Sequence, residues 1–463
     1  MEILVKAAQL IMSLSILVIL HECGHFIPAK LFKTRVEKFF LFFDAWFSIV
    51  KFRNIDGKWR VWFFAKNKTG SETETKKTEI GVGWLPLGGY VKISGMIDES
   101  MDKEQLKQPA QPWEFRSKPA WQRLIIMLGG VTVNVLLAIV IYIVMLAAWG
   151  EEYLPTKNVK YGIVCDSLAM EMGLKNGDKI LSVDNKEVED FQKIPAEIIL
   201  DQAKTIQVLR NEKQENIAIP DGFLGKLINH KSPDFIGIRV PFEVEEFAKT
   251  SPAKNAGIKA DDKIIGVDGK WINYYDEYKS VITAYKGKTV KIAVQRGKDT
   301  LQLPVNVSSE GLIGIMQKAN DLTKYFTLKK HEYSILQAIP AGAVKAYKEC
   351  GNYLRSLKLL FSPDTKAYES IGGFITIGKI FPSEWDWMAF WKLTALLSII
   401  LAIMNVLPIP ALDGGHVLFL LYEIIARRKP SEKFMEYAQY AGMIFLLGLL
   451  LLANGNDVVK LFK

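Results

Sequence analysis

The 463-residue sequence has little cysteine and an unequal balance of charge. Its cysteines, Cys23, Cys165 and Cys350, are scattered without a pairing pattern, so the sequence implies no disulfide framework. Acidic residues number 50 against 59 Lys and Arg, which gives a net charge of +9. That excess need not indicate nucleic acid, because Lys and Arg beside a membrane face anionic lipid. With 49% hydrophobic residues and a positive mean hydropathy, the composition predicts a multi-pass membrane protein with no nucleic-acid partner.

Charge is nearly absent from four segments, each long enough for a hydrocarbon core that takes roughly 20 apolar residues. The third is interrupted by NVLPIPALDGGH, which predicts a broken helix. A signal peptide is the alternative at the N-terminus, but no small-residue cleavage site follows the apolar run. The fold class is therefore a mainly α-helical membrane protein, with predicted transmembrane helices at 1–32, 119–150, 386–427 (broken) and 434–463.

Lys and Arg cluster beside particular ends of these segments. They follow the first span, precede the second and separate the third from the fourth, whereas Glu151 and Glu152 follow the second. The positive-inside rule then predicts a cytoplasmic location for 30–123 and 427–436 and an outer location for 151–386. His21 lies about 22 Å along the helix from Lys6, which marks the outer end of the first span. The polar residues of this span are therefore expected toward its cytoplasmic end.

The outer segment contains an internal repeat. GLKNGDKILSVDNK, starting at Gly173, and GIKADDKIIGVDGK, starting at Gly257, share a Gly turn, an Asp before an apolar strand and a second turn Asp. SPAKNAGIKADDKI resembles the helix-to-strand passage of a PDZ domain. We predict two α+β PDZ-like modules, at 155–237 and 238–318, followed by a linker with amphipathic segments at 319–385. The modules serve as spacers or bind a substrate or partner peptide at a sheet edge.

The sequence HECGH places an acid and two imidazoles inside the first predicted span. His21 and His25 are four residues apart and share a helix face, so both can bind one metal ion. Glu22 lies about 100° round the helix and can hold a water on that ion. H-E-x-x-H is the signature of zinc proteases. The alternative is two histidines satisfied by neighbouring helices, but the burial of all three polar residues needs compensation, which a divalent ion supplies.

A catalytic zinc takes three protein ligands and keeps an open position. Asp413 lies in the segment that Pro408 and Pro410 unwind, and unwound backbone at membrane depth must line a cavity or the protein interior. We therefore predict Asp413 as the third ligand. His416 is the rival, which we expect to support the site rather than bind the metal directly.

HECGH in the first span together with N-x-x-P-x-P-x-L-D-G in the third, Asn405 to Gly414, resembles the site-2 protease family of intramembrane zinc metalloproteases. Four spans with two PDZ-like modules between the second and the third are similar to a bacterial branch of that family. The resemblance covers essentially the whole chain. It implies a location in the bacterial inner membrane.

Two further stretches carry the resemblance. IGVGWLPLGGYVKISG, starting at Ile80 in the cytoplasmic region 33–118, resembles the family's membrane-reentrant β-hairpin, and GGVTVN, ending at Asn134, resembles a Gly-to-Asn motif of its second span. Ordinary cytoplasmic β-structure is the alternative for the former. The resemblance implies that the substrate-binding residues are Gly83, Leu85, Asn134, Asn405, Pro408 and Pro410.

The implied activity is hydrolysis of peptide bonds within or near the transmembrane helices of single-span proteins already trimmed on the outer side. Anti-sigma factors and remnant signal peptides are the implied substrates. Zn²⁺ supplies an activated water, and Glu22 takes its proton and passes it to the leaving amine.

Two alternatives to this activity stay open. One is a PDZ-bearing membrane scaffold with an inert metal site, against which the complete ligand set and Glu22 argue. The other is a different H-E-x-x-H membrane protease, which would take Glu423 as its third ligand.

Overall fold

The computed structural model describes most of the chain. The described residues are 2–55, 57–66, 77–86, 88–96, 109–229, 235–316, 322–360, 362, 365 and 371–462. The α-helices, in chain order, are α1 (Glu2–Leu31), α2 (Ala120–Trp149), α3 (Ser167–Glu171), α4 (Ile194–Leu200), α5 (Phe223–Ile228), α6 (Pro252–Asn255), α7 (Tyr275–Ile282), α8 (Ile335–Leu360), α9 (Phe374–Ile380), α10 (Trp387–Val406), α11 (Asp413–Ala426) and α12 (Glu432–Phe462).

Strands occupy much of the sequence between these helices. In chain order they are β1 (Val36–Leu41), β2 (Phe43–Ile55), β3 (Lys58–Lys66), β4 (Glu79–Leu85), β5 (Tyr90–Ile93), β6 (Glu151–Tyr153), β7 (Ile163–Cys165), β8 (Lys179–Val183), β9 (Thr205–Arg210), β10 (Lys213–Ala218), β11 (Ile236–Ile238), β12 (Glu246–Phe247), β13 (Lys263–Val267), β14 (Lys270–Trp271), β15 (Thr289–Arg296), β16 (Asp299–Asn306), β17 (Ile315–Met316) and β18 (Lys329–His331).

Four helices are long and apolar enough to cross a membrane, within the part of the chain that the structure describes: α1, α2, α10 and most of α12. Each overlaps one of the four predicted spans, and α10 covers only the first part of 386–427. The third span is broken, because α10 ends at Val406 and α11 begins at Asp413. The predicted linker 319–385 contains the long helix α8 and the short helix α9.

The chain folds as two compact units. One unit comprises 1–150, 332–354 and 371–463 and contains the four candidate spanning helices, and the other comprises 151–331 and 355–370.

A five-stranded sheet in the first unit has the strand order β3-β2-β4-β1-β5. β1 pairs in parallel with β4 and antiparallel with β5, so β4 and β5 lie on opposite sides of β1. A hairpin over residues 80–95 requires β4 and β5 to pair with each other. That predicted pairing is wrong, because β1 lies between the two strands and pairs with both. Leu87, between them, lies outside the described residues, and membrane re-entry of this stretch stays a prediction.

The second unit has two hydrophobic cores, one built from 154–240 with Tyr325 and Phe326, the other from 242–315. The sequence repeat gives β8 in the first core and β13 in the second. The PDZ-like assignment of the two modules stays a prediction.

The repeat also reproduces an ion pair. Arg210 binds both carboxylate oxygens of Asp178 at 2.8 and 2.7 Å and donates to the carbonyl oxygen of Gly173 at 2.9 Å. Arg296 does the same with Asp262, at 2.7 Å to each oxygen, and with the carbonyl oxygen of Gly257. Burial raises the pKa of Asp262, but the hydrogen bonds from Arg296 and from a backbone N–H outweigh it and hold that pKa below its usual value.

Two glycines set the crossing of α1 and α2. A Cβ on Gly24 would collide with the backbone of Gly129 and Gly130, and a Cβ on Gly129 would collide with the carbonyl oxygen of Gly24. The two helices therefore touch backbone to backbone, as small residues allow in membranes. This contact brings α2 against the turn of α1 that carries the HECGH motif.

Candidate metal centre

His21 and His25 point to the same place from one face of α1. Both are buried, and their Nε2 atoms lie 3.3 Å apart. The four-residue spacing on a continuous helix accounts for this arrangement. Two imidazole nitrogens at this distance need a proton or a cation between them, since two lone pairs repel each other.

Asp413 completes a triangle with the two histidines. Its Oδ2 lies 3.3 Å from the Nε2 of His21 and 3.3 Å from the Nε2 of His25. No other group of three or more potential metal ligands occurs among the described residues. The helix break positions Asp413, because α11 begins at this residue.

The triangle fits zinc. Ligands about 2.0–2.1 Å from a tetrahedral zinc ion lie about 3.3 Å from one another, which matches all three sides. Oδ2 of Asp413 is also buried without a hydrogen-bond donor in the described part of the chain. A buried carboxylate oxygen is costly without compensation, and a divalent cation supplies it.

The other ring nitrogen of each histidine has its own partner. Nδ1 of His25 lies 2.8 Å from the carbonyl oxygen of Ile126, so it carries the proton and leaves the Nε2 lone pair for a metal. Nδ1 of His21 lies 3.0 Å from the amide of Asn134, which is fully buried. The Asn134 oxygen has no partner as the amide is oriented, and turning the amide lets that oxygen accept from Nδ1–H.

A cavity of about 670 Å³ opens onto the metal centre. Glu22, His416 and all three predicted ligands line it. Of the predicted substrate-binding residues, Leu85 and Asn405 line it as well, and Nδ2 of Asn405 lies 3.2 Å from Nε2 of His21. The cavity lining in the described chain does not include Gly83, Asn134, Pro408 or Pro410.

Two rival ligands lie outside the triangle. His416 lines the cavity but does not belong to the cluster of three. Glu423 is paired with Arg123 of α2, Oε1 to Nη2 at 2.5 Å. The Glu423 carboxylate is therefore already matched by a buried guanidinium, which disfavours it as a metal ligand.

Two residues were not predicted to face the metal centre, although one of them, Gly130, lies in the GGVTVN stretch. Gly130 faces the histidines, and a Cβ there would meet the Nε2 of His25 and the ring of His21. Gln439 of α12 lines the cavity and is buried. The signal for Gln439 was present, since a polar residue inside an apolar span marks a functional position, whereas nothing in the sequence tells which glycine faces a ligand.

A histidine pair on one apolar helix and a carboxylate at the break of another define a metalloprotease held in membrane-spanning helices. The chain matches the model of Peptidase family M50 over residues 9–449, and it belongs to this family. This is the site-2 protease family, and the chain is a zinc metalloprotease.

Full-length relatives agree with the family assignment. The chain is 27% identical to the regulator of sigma E protease of Salmonella typhi over the whole of both chains. It is 27% identical to the regulator of sigma-E protease RseP of Escherichia coli K12, with 98% of each chain covered. It is 26% identical to the protease RseP of Yersinia pestis, again over the whole of both chains.

Proposed function

We propose that this protein is an intramembrane zinc protease that cleaves single-span membrane proteins within or near their transmembrane helices. The observation that carries the proposal is the triangle of His21, His25 and Asp413, with 3.3 Å sides, beside Glu22 in a cavity among spanning helices. His21, His25 and Asp413 hold the zinc ion in this proposal.

Zinc, when bound, polarises the scissile carbonyl and makes water a nucleophile at neutral pH. Glu22 accepts the proton of the attacking water and delivers it to the nitrogen of the leaving amine. His25 is held in the competent tautomer by the carbonyl of Ile126. Asn134 does the same for His21 once its amide oxygen faces Nδ1–H, so we assign it to orient a ligand rather than to touch substrate.

A substrate helix must unwind before its peptide bonds can be attacked, and an exposed sheet edge can hold it extended. β4 is paired on both sides, with β2 and with β1, so it cannot accept an added strand. Among the described strands, β5 lies at the edge of its sheet, and its residues line the cavity together with Glu22. We therefore assign substrate docking to β5, with Asn405 available to the substrate backbone.

The substrates we propose are proteins already trimmed on the outer side, such as anti-sigma factors, and remnant signal peptides. Two relatives are named regulators of sigma E protease, which supports the first group. The Lys and Arg bias supports an inner-membrane orientation with the metal centre toward the cytoplasm and residues 151–331 outside.

The decisive experiment measures metal content and cleavage of a model transmembrane peptide by the purified protein in detergent. One zinc per chain with cleavage that a chelator abolishes supports the protease. A zinc-loaded chain that cleaves none of a panel of such peptides would instead favour the scaffold, a PDZ-bearing membrane protein with an inert site.

A deletion of residues 158–318 with a flexible linker tests whether the outer modules gate access. β6 and β18 pair with each other on the two sides of this deletion, so their junction is retained. We expect the variant to cut the short peptide and also a substrate with an intact outer domain, which the full chain rejects. A folded, zinc-loaded variant that cuts neither would show that the modules deliver substrate instead.

A further inference from the structure

Gln439 of α12 is a buried polar side chain that the mechanism above does not use. It is 4% exposed and lines the cavity with Glu22. Its Oε1 accepts a hydrogen bond of 3.1 Å from the backbone N–H of Ala411, in the break between α10 and α11. A carboxamide inside an apolar helix is costly unless it serves a partner. Here the partner is the backbone two residues before Asp413.

The break, in the part of the chain that the structure describes, makes most of its backbone hydrogen bonds within its own segment. Its two prolines have no N–H to donate. Three other N–H groups of the turn donate to carbonyl oxygens within or just before it, those of Leu407, Ile409 and Leu412. The N–H of Ala411 instead donates to a side chain from another helix. Gln439 therefore ties the turn to α12.

Ala411 also carries backbone strain. Its φ of 77° lies in the left-handed region, which residues other than glycine adopt at a cost. Such a conformation persists where the surroundings impose it. Gly442, on the same helix as Gln439, adds a second restraint, because a Cβ there would collide with the carbonyl oxygen of Pro410.

We propose that Gln439 is a positioning residue of the metal centre. Its amide holds the strained turn that places Oδ2 of Asp413 at 3.3 Å from the Nε2 of both histidines. The fourth spanning helix is then part of the metal centre although it supplies no ligand. This inference rests on the proposed role of Asp413 as a zinc ligand.

The test substitutes Gln439→Leu, which removes the acceptor at nearly constant volume. We expect the purified full-length variant, stripped of metal and titrated with Co²⁺, to bind 10–100-fold more weakly, as for other groups that orient ligands. We also expect its visible absorption bands to change. Gln9→Leu is the matched control, because Gln9 is fully buried and also bonds the backbone, donating to the carbonyl oxygens of Pro382 at 2.9 Å and Val5 at 3.4 Å. That variant should bind Co²⁺ like the wild type.

A second variant separates positioning from general loosening. Glycine adopts a φ of 77° without the steric cost that alanine meets. Ala411→Gly in the Gln439→Leu background should therefore recover most of the lost Co²⁺ affinity. A double variant no better than the single one contradicts the proposal.

The remaining outcomes are equally decisive. Wild-type Co²⁺ affinity and spectrum in Gln439→Leu overturn the proposal, and so does an equal loss in Gln439→Leu and Gln9→Leu. Asp413→Asn, titrated in parallel, tests the underlying assignment. If it binds Co²⁺ like the wild type, the ligand assignment fails; if it alone loses Co²⁺, only the positioning by Gln439 fails.

Discussion

The two halves of the metal centre are built in different ways. His21 and His25 are presented by an unbroken 30-residue helix whose neighbour, α2, meets it backbone to backbone. Asp413 instead begins a helix after a turn that contains two prolines and a strained alanine. The histidine half is fixed by helix geometry, whereas the aspartate half depends on contacts from outside its own segment. Substitutions that affect the histidines should therefore act by direct contact with the rings, and those that affect Asp413 should act through the backbone of the turn.

The largest expected effect belongs to the histidine half. Glu22→Gln removes the proton acceptor and leaves the helix and the ligands unchanged, so cleavage should fall by about 10²–10⁴-fold. Zinc content should remain at one per chain. The measurement is peptide cleavage with metal analysis of the same sample. Retained turnover, or a variant without zinc, would remove Glu22 from its assigned role.

The aspartate half is tested through the metal itself. Asp413→Asn replaces a charged oxygen ligand with a neutral one and should weaken zinc binding by more than about 100-fold, beyond the effect of losing an orienting group. His416→Ala should leave most of the metal in place. Competition with a chelator of known affinity measures both. An empty His416 variant beside a full Asp413 variant would reverse the assignment.

Adding one methyl group probes the rigidity of the histidine half. Gly130→Ala places a Cβ against both imidazoles. Because α1 and α2 touch backbone to backbone, the rings have little room to move away from it. We expect metal affinity to fall about 10–100-fold. Gly448→Ala on α12 is the control, since its Cβ would meet nothing within 4 Å. Equal affinities of the two variants would show that the helices adjust freely.

The smallest effect should come from a change that keeps a hydrogen bond. Asn134→Asp retains an oxygen that can accept from Nδ1–H of His21, so metal affinity should stay within about threefold, well short of the 10–100-fold loss expected for Asn134→Leu. Chelator competition on both variants, at matched protein stability, measures the difference. An Asn134→Leu variant that binds metal normally but cleaves poorly would return Asn134 to a role in substrate binding.

Sequence periodicity was sufficient for the part of the site that one helix carries. The four-residue spacing already placed His21 and His25 together, and the prolines before Asp413 already marked a break. Gln439 stands out in the sequence as a polar residue in an apolar span, but the contacts of Gly130 and Gln439 were not predictable, because each joins helices far apart in the sequence. The same limit applies to the sheet: residues 80–95 look like two strands and a turn, yet β1 comes from elsewhere and separates them.

The contact between Gly24 and Gly129 makes the residue allowed at each position depend on the other, although the two lie far apart in the sequence. Neither glycine can be replaced without pushing the helices apart, so both positions should keep glycine wherever this crossing is kept. A search pattern can use that dependence. H-E-x-G-H followed by G-G-x-x-x-N would select chains in which the metal-binding helix and the second spanning helix touch backbone to backbone. The pattern H-E-x-x-H alone does not select for that contact.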